Sequence, residues 1–324
     1  MGHYDVSVRE TIMIRTVLLA SACLILSAPA ALAQSHGAGH GTEAATPAGH
    51  GHHHADFESG RFHVRVDGAG PDVILIPGLS SSPAVWDGTV AALGGHYRVH
   101  RLHIQGFAGA AAMDNTEGPV AAPVAEELAR YIREQGLDRP VVIGHSMGGT
   151  IAMMLAARHP DLVGKLMVVD MVPFMGAMFG APGATPESVA PVADQIFEGM
   201  ASGPEAAYRT RLEETIDGMI LTEDRRAGPL EDSLTSDRRV AAAAYRELIV
   251  TDLGPELERI TAPTEVLYIK FNDPRMTVAM VDGIYAAAFA RLPGVTLKRI
   301  DDSAHFIMLD QPDRFAAEVE AFLQ

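Results

Sequence analysis

The stretch Val141-Val142-Ile143-Gly144-His145-Ser146-Met147-Gly148-Gly149-Thr150 runs from an apolar, β-branched segment through G-x-S-x-G into a helical pattern. Its composition has a geometric reason. A serine on a sharp strand-to-helix turn takes a strained backbone conformation, and the residues two before and two after it must be small so that helix and strand can pass closely. The Ser146 hydroxyl then stands at the C-terminal end of a strand and beside a helix N-terminus, where the dipole favours developing negative charge. Ser146 is therefore the expected nucleophile, and the Met147 N–H, at the start of the helix, an expected oxyanion donor.

Outward from this turn, short apolar runs alternate with longer helical patterns. Phe62 to Val66, Val73 to Ile76, Tyr97 to Ile104, Val141 to Ile143, Leu166 to Asp170, Val266 to Ile269 and Val295 to Ile300 read as strands. Helical patterns cover about Val124 to Glu134, Thr150 to Arg158, Val278 to Arg291 and Asp313 to Phe322. Strands apolar along their whole length, such as Val73-Ile74-Leu75-Ile76, belong in a mostly parallel sheet covered by helices on both faces, the α/β class. The last strand is followed by Asp301-Asp302-Ser303-Ala304-His305-Phe306 and a final helix, which puts His305 on a loop in the Ser, acid, His order that such a serine requires. From Met171 to about Thr251 the strands stop and helical patterns take over.

The chain has 25 Lys+Arg against 41 Asp+Glu, a formal net charge of −16, and no basic run, so nucleic acid is excluded as a partner class. A single cysteine, Cys23, rules out an intramolecular disulfide or a thiolate zinc site. Residues 1–33 read as a secretory signal peptide: Arg15 precedes the apolar run Val17 to Leu26, too short to span a bilayer, and Ala31-Leu32-Ala33 suits cleavage before Gln34. Asp5 and Glu10 fit a signal n-region badly and point to Met13 as the natural start. The mature protein is thus expected to be exported, periplasmic or extracellular, with no stable membrane anchor. Residues 34–56 hold His36, His40, His50, His52, His53 and His54 among small residues and read as a disordered linker, with loose metal binding as the competing reading.

From Val73 to Gln324 the chain resembles the α/β-hydrolase superfamily in its lid-bearing, esterase-like branch. The likeness is carried by Gly144-His145-Ser146-Met147-Gly148-Gly149, by Ala304-His305-Phe306, by Ile76-Pro77-Gly78-Leu79 with Trp86, which looks like the oxyanion loop, and by Gln105-Gly106-Phe107 at the place of an R-G-x-G turn. The resemblance implies the α/β-hydrolase fold over residues 57–324, a helical lid at about 172–251, and the Leu79 N–H as second oxyanion donor. It departs from the family at Pro77, where a His is usual, and at His103 and Gln105, which replace an Asp and an Arg.

The resemblance leaves two acids. Asp273, in Lys270-Phe271-Asn272-Asp273-Pro274, follows the strand where most relatives carry theirs, but without its closing Gly and one residue late. Asp170, closing Leu166-Met167-Val168-Val169, matches the haloalkane-dehalogenase-like position. Loop position favours Asp273. In the lid, Phe174, Met175, Met178 and Phe179 are the expected substrate contacts, Met being flexible and polarisable. The chemistry implied is serine hydrolysis of a small or medium apolar ester, lactone or thioester through an acyl-enzyme, with no cofactor and no metal. The alternatives are an amidase or carbon-carbon hydrolase, or a non-catalytic ligand-binding relative with a metal-binding His tract. The sequence leaves the oligomeric state open.

Overall fold

The computed structural model describes residues 57–271 and 273–324. The expected signal peptide and His-rich linker fall outside the described residues. Seven strands form one sheet: β1 (Phe62–Asp67), β2 (Asp72–Ile76), β3 (Arg98–Ile104), β4 (Val141–His145), β5 (Lys165–Val169), β6 (Thr264–Ile269) and β7 (Thr296–Ile300). Their order is β1-β3-β2-β4-β5-β6-β7, and only the edge pair β1 and β3 is antiparallel.

The two-residue period of a strand divides the core. Ile74, Ile76, Val142, Leu166, Val168 and Val266 face one side, while Val73, Leu75, Ile143, Met167, Val169 and Leu267 face the other. The helices are α1 (Asp87–Ala92), α2 (Ala121–Glu134), α3 (Met147–Arg158), α4 (Pro186–Ser202), α5 (Glu205–Met219), α6 (Ala227–Thr235), α7 (Arg238–Val250), α8 (Val278–Ala288), α9 (Ile307–Asp310) and α10 (Pro312–Leu323). Val124 and Leu128 of α2, Ile151 and Leu155 of α3 and Val281 of α8 cover the first face. Trp86, Ile307 of α9 and Phe315 and Val319 of α10 cover the second. Both faces are buried, which is why the central strands read as unbroken apolar runs.

Helices α4 to α7 form an insertion between β5 and β6. Its inner cluster is Val189, Ala193, Ile196 and Ile249. Polar anchors hold it to the domain. The buried Glu247 carboxylate of α7 accepts the N–H groups of Val120, Ala121 and Ala122 at 2.6, 2.7 and 2.8 Å, capping α2 from outside its own chain segment. Asp237 donates its N–H to the Gly106 carbonyl at 2.7 Å, and Ser236 Oγ accepts the Ala108 N–H at 2.9 Å.

Candidate active site

Parallel strands deliver their C-terminal ends to one edge, and the segments that follow β2, β4, β5 and β7 meet there. Ser146 follows β4 with φ 53° and ψ −121°, the strained turn that its sequence demands. Its N–H donates to the Val169 carbonyl at 2.9 Å, which ties it to the residue before Asp170. A side chain on Gly144 would run into the Gly148 backbone, and one on Gly148 into the backbone of Ile76 and Pro77. These two glycines are what let α3, β4 and the loop after β2 come together. Gly78 of that loop sits so close that a Cβ there would lie 3.2 Å from Ser146 Cβ.

Leu79 follows Gly78 in the loop that lies against Ser146, and Met147 opens the helix after it. Among the described residues no carbonyl accepts either backbone N–H, so both remain free to donate to an oxygen placed between them.

His305 is on the loop after β7, and its Nδ1–H donates to Asp170 Oδ2 at 2.6 Å. The structure thus brings Asp170, the alternative acid, to His305 and does not bring Asp273 there. Asp273 is caught in its own turn: Arg275 donates to it from its side chain at 3.0 and 2.8 Å and from its backbone N–H at 2.8 Å. The Arg275 guanidinium, with that N–H, lowers the Asp273 carboxyl to about 2. Asp170 instead extends β5 with φ 50°, its N–H on the Leu267 carbonyl at 2.7 Å, and its side chain 4% exposed. Its Oδ1 accepts the Tyr285 hydroxyl at 2.8 Å and the Ile269 N–H at 3.3 Å. Burial first, then the Asp170 charge, raises the Tyr285 phenol well above its ordinary value, so it stays a proton donor. Tyr285 and Ile269 had no signature in the sequence, because helix α8 and strand β6 bring them to Asp170 from far along the chain.

His145 also serves the imidazole. Its Nε2–H donates to the His305 carbonyl at 3.0 Å, and the two rings lie 4.6 Å apart. With Asp170 on Nδ1, His305 presents Nε2 as the proton acceptor.

The lid candidates divide. Phe174 and Phe179 pack against the inner cluster of the insertion, and Phe179 meets Tyr245 edge-on with ring centroids 6.4 Å apart. Met178 packs against the main core that contains Met147 and Val172, and Met175 touches both clusters. At the departures from the family pattern, hydrogen bonds stand in for the missing ion pair: His103 Nε2–H donates to the Phe107 carbonyl at 2.9 Å, and Gln105 pairs with His63 at 2.7 Å.

The family model described as "Alpha/beta hydrolase family" matches residues 73–318. The chain belongs to the alpha/beta hydrolase family. The expected fold class holds with it. A pimeloyl-[acyl-carrier protein] methyl ester esterase of Vibrio cholerae is 27% identical over 273 residues, 80% of this chain and 94% of the relative. Among solved structures, the enol-lactonase from Burkholderia xenovorans LB400 matches with a TM-score of 0.64 at 22% identity, over 81% of this chain and 96% of that one. The esterase from Exiguobacterium antarcticum matches with a TM-score of 0.68 at 18% identity, over 81% and 95%. The hydrolase is thus similar to ester hydrolases along nearly its whole folded length, and hydrolysis of an ester is the activity that this similarity supports.

Proposed function

We propose that the chain is an exported serine hydrolase that cleaves a small or medium apolar ester, lactone or thioester through an acyl-enzyme. The observation that carries this reading is the Asp170–His305 hydrogen bond beside a strained Ser146. Ser146 Oγ attacks the carbonyl carbon as its proton passes to His305 Nε2, and Asp170 holds the imidazole in the accepting tautomer and stabilises its charged form. The N–H groups of Leu79 and Met147 receive the oxyanion, at about 3 kcal/mol for one such donor. His305 then gives the proton to the leaving oxygen as the carbonyl–oxygen bond breaks. A water, deprotonated by the same imidazole, attacks the acyl-enzyme and frees Ser146. Because the nucleophile is a serine, dehalogenase and epoxide-hydrolase chemistry, which needs a carboxylate ester intermediate, is disfavoured.

Two supports bear on the substrate. The Vibrio relative is named for a methyl ester and the Burkholderia neighbour for an enol-lactone, both carboxylic esters. Met175 and Met178, packed on the core that holds Met147, offer an adaptable apolar wall. Export rests on residues 1–33 alone. The test is a panel of acyl esters, lactones, thioesters and amides, followed by titration of the acid released. Turnover of the oxygen or sulfur esters that vanishes in Ser146→Ala supports the reading; turnover of amides alone, or turnover unchanged in the variant, would overturn it.

A further inference from the structure

His305 is tied to the helical insertion on both sides. The residue before it, Ala304, donates its N–H to Asp310 Oδ2 at 2.9 Å, and the same carboxylate accepts the N–H groups of Leu221 at 3.1 Å and Thr222 at 2.8 Å, from the turn that follows α5. The residue after it, Phe306, donates its N–H to the carbonyl of Met219, the last residue of α5, at 3.2 Å. The oxyanion loop has a matching tie, since Ser82 donates its N–H to Asp232 Oδ2 of α6 at 2.8 Å. Loops outside the sheet ladder take their position from such contacts, and bonds to a charged acceptor are the stronger kind.

We infer that the insertion is part of the catalytic frame as well as a cover, with Asp310 and Asp232 as positioning residues. Asp310 gathers three N–H groups from two chain segments and so sets where the His305 imidazole stands relative to Ser146. Asp232 sets the loop that carries the Leu79 donor. A shift of the insertion, on substrate entry or product release, is thereby passed to the base and to the oxyanion site together. A displacement of about 1 Å at a reacting group costs on the order of 10²-fold in rate, so these ties act on turnover rather than on affinity. This inference deepens the serine-hydrolase reading and rests on it.

The experiment measures kcat and KM on p-nitrophenyl butyrate, and the rate of fluorophosphonate labelling, for the full chain and four variants. Asp310→Ala is expected to lower kcat and the labelling rate about 30- to 100-fold with KM within about 2-fold. Asp310→Asn, which keeps an acceptor oxygen, should recover part of that loss. Thr222→Pro leaves Asp310 and Ala304 intact and deletes one N–H from the insertion side, at a residue whose φ of −76° suits the ring; it should lower kcat about 3- to 10-fold. Asp313→Asn, on the exposed first turn of α10, should leave both rates unchanged. If Asp310→Ala does not fold, Thr222→Pro decides. A wild type that labels, with folded variants that keep its kcat or lose only in KM, overturns the inference alone. A wild type that neither labels nor turns over esters overturns the serine-hydrolase reading, and this inference with it.

Discussion

Asp170 and Asp273 are two carboxylates with opposite surroundings, and the contrast is testable. Asp170 is 4% exposed and its oxygens receive His305, Tyr285 and the Ile269 N–H, whereas Asp273 is neutralised locally by Arg275. Asp170→Asn is expected to lower kcat about 10³- to 10⁴-fold, because an amide cannot hold the imidazole in the accepting tautomer or stabilise its cation. Asp273→Asn should stay within about 2-fold of wild type on the same ester, and equal losses in both variants would contradict the assignment. His145 gives a pH prediction. Burial and then the charge of His305 outweigh the bond to the His305 carbonyl and hold the His145 imidazole well below its ordinary 6.5. The unfolded chain therefore takes up a proton at His145 that the folded protein does not, once pH falls below 6.5. This contribution to stability is fully present above that value and is lost as pH falls towards the depressed folded value, at up to ~1.4 kcal/mol per pH unit. His145→Gln should flatten that part of the slope in urea unfolding between about pH 7.5 and 5.5. A slope identical to wild type would count against it.

Among the elements, the strands and the elbow were legible because their physics is local or periodic. β2, β4 and β5 are apolar on both faces, so their runs announce a doubly covered sheet, and Gly144 and Gly148 are dictated by contacts within a few residues of Ser146. His305 was legible from its place after β7. Its pairing with Asp170 was not, because it depends on how β5, β6 and α8 converge, which no local spacing encodes. The long-range ties of Glu247, Asp232 and Asp310 were invisible for the same reason: a carboxylate that caps another segment looks like any surface acid until the fold brings the N–H groups to it. Glu247 carries a prediction at this scale. Its removal in Glu247→Ala leaves three buried or half-buried N–H groups of the α2 start without their acceptor, and should lower global stability by about 2–4 kcal/mol. Thermal and urea unfolding measure it; a loss below about 0.5 kcal/mol would show that the anchor is replaceable by water.

In the whole molecule, four segments converge on one edge of the sheet: β4 delivers Ser146, β5 Asp170 and β7 His305, while the loop after β2 brings Leu79. Leu79, Ser146, Met147, Asp170 and His305, with Asp232 and Asp310 that hold them, all lie after Phe57, so a chain starting at Phe57 is expected to keep kcat and KM within about 2-fold of the longer one. A large loss would assign a catalytic part to residues 1–56. The most direct test of the central claim is intact-mass detection of fluorophosphonate labelling, which needs nucleophile, base and oxyanion site at once and requires no knowledge of the natural substrate. One adduct per chain is expected, absent in Ser146→Ala and strongly slowed in His305→Ala and Asp170→Asn. An adduct that persists in Ser146→Ala, or none on a folded wild type, would contradict it.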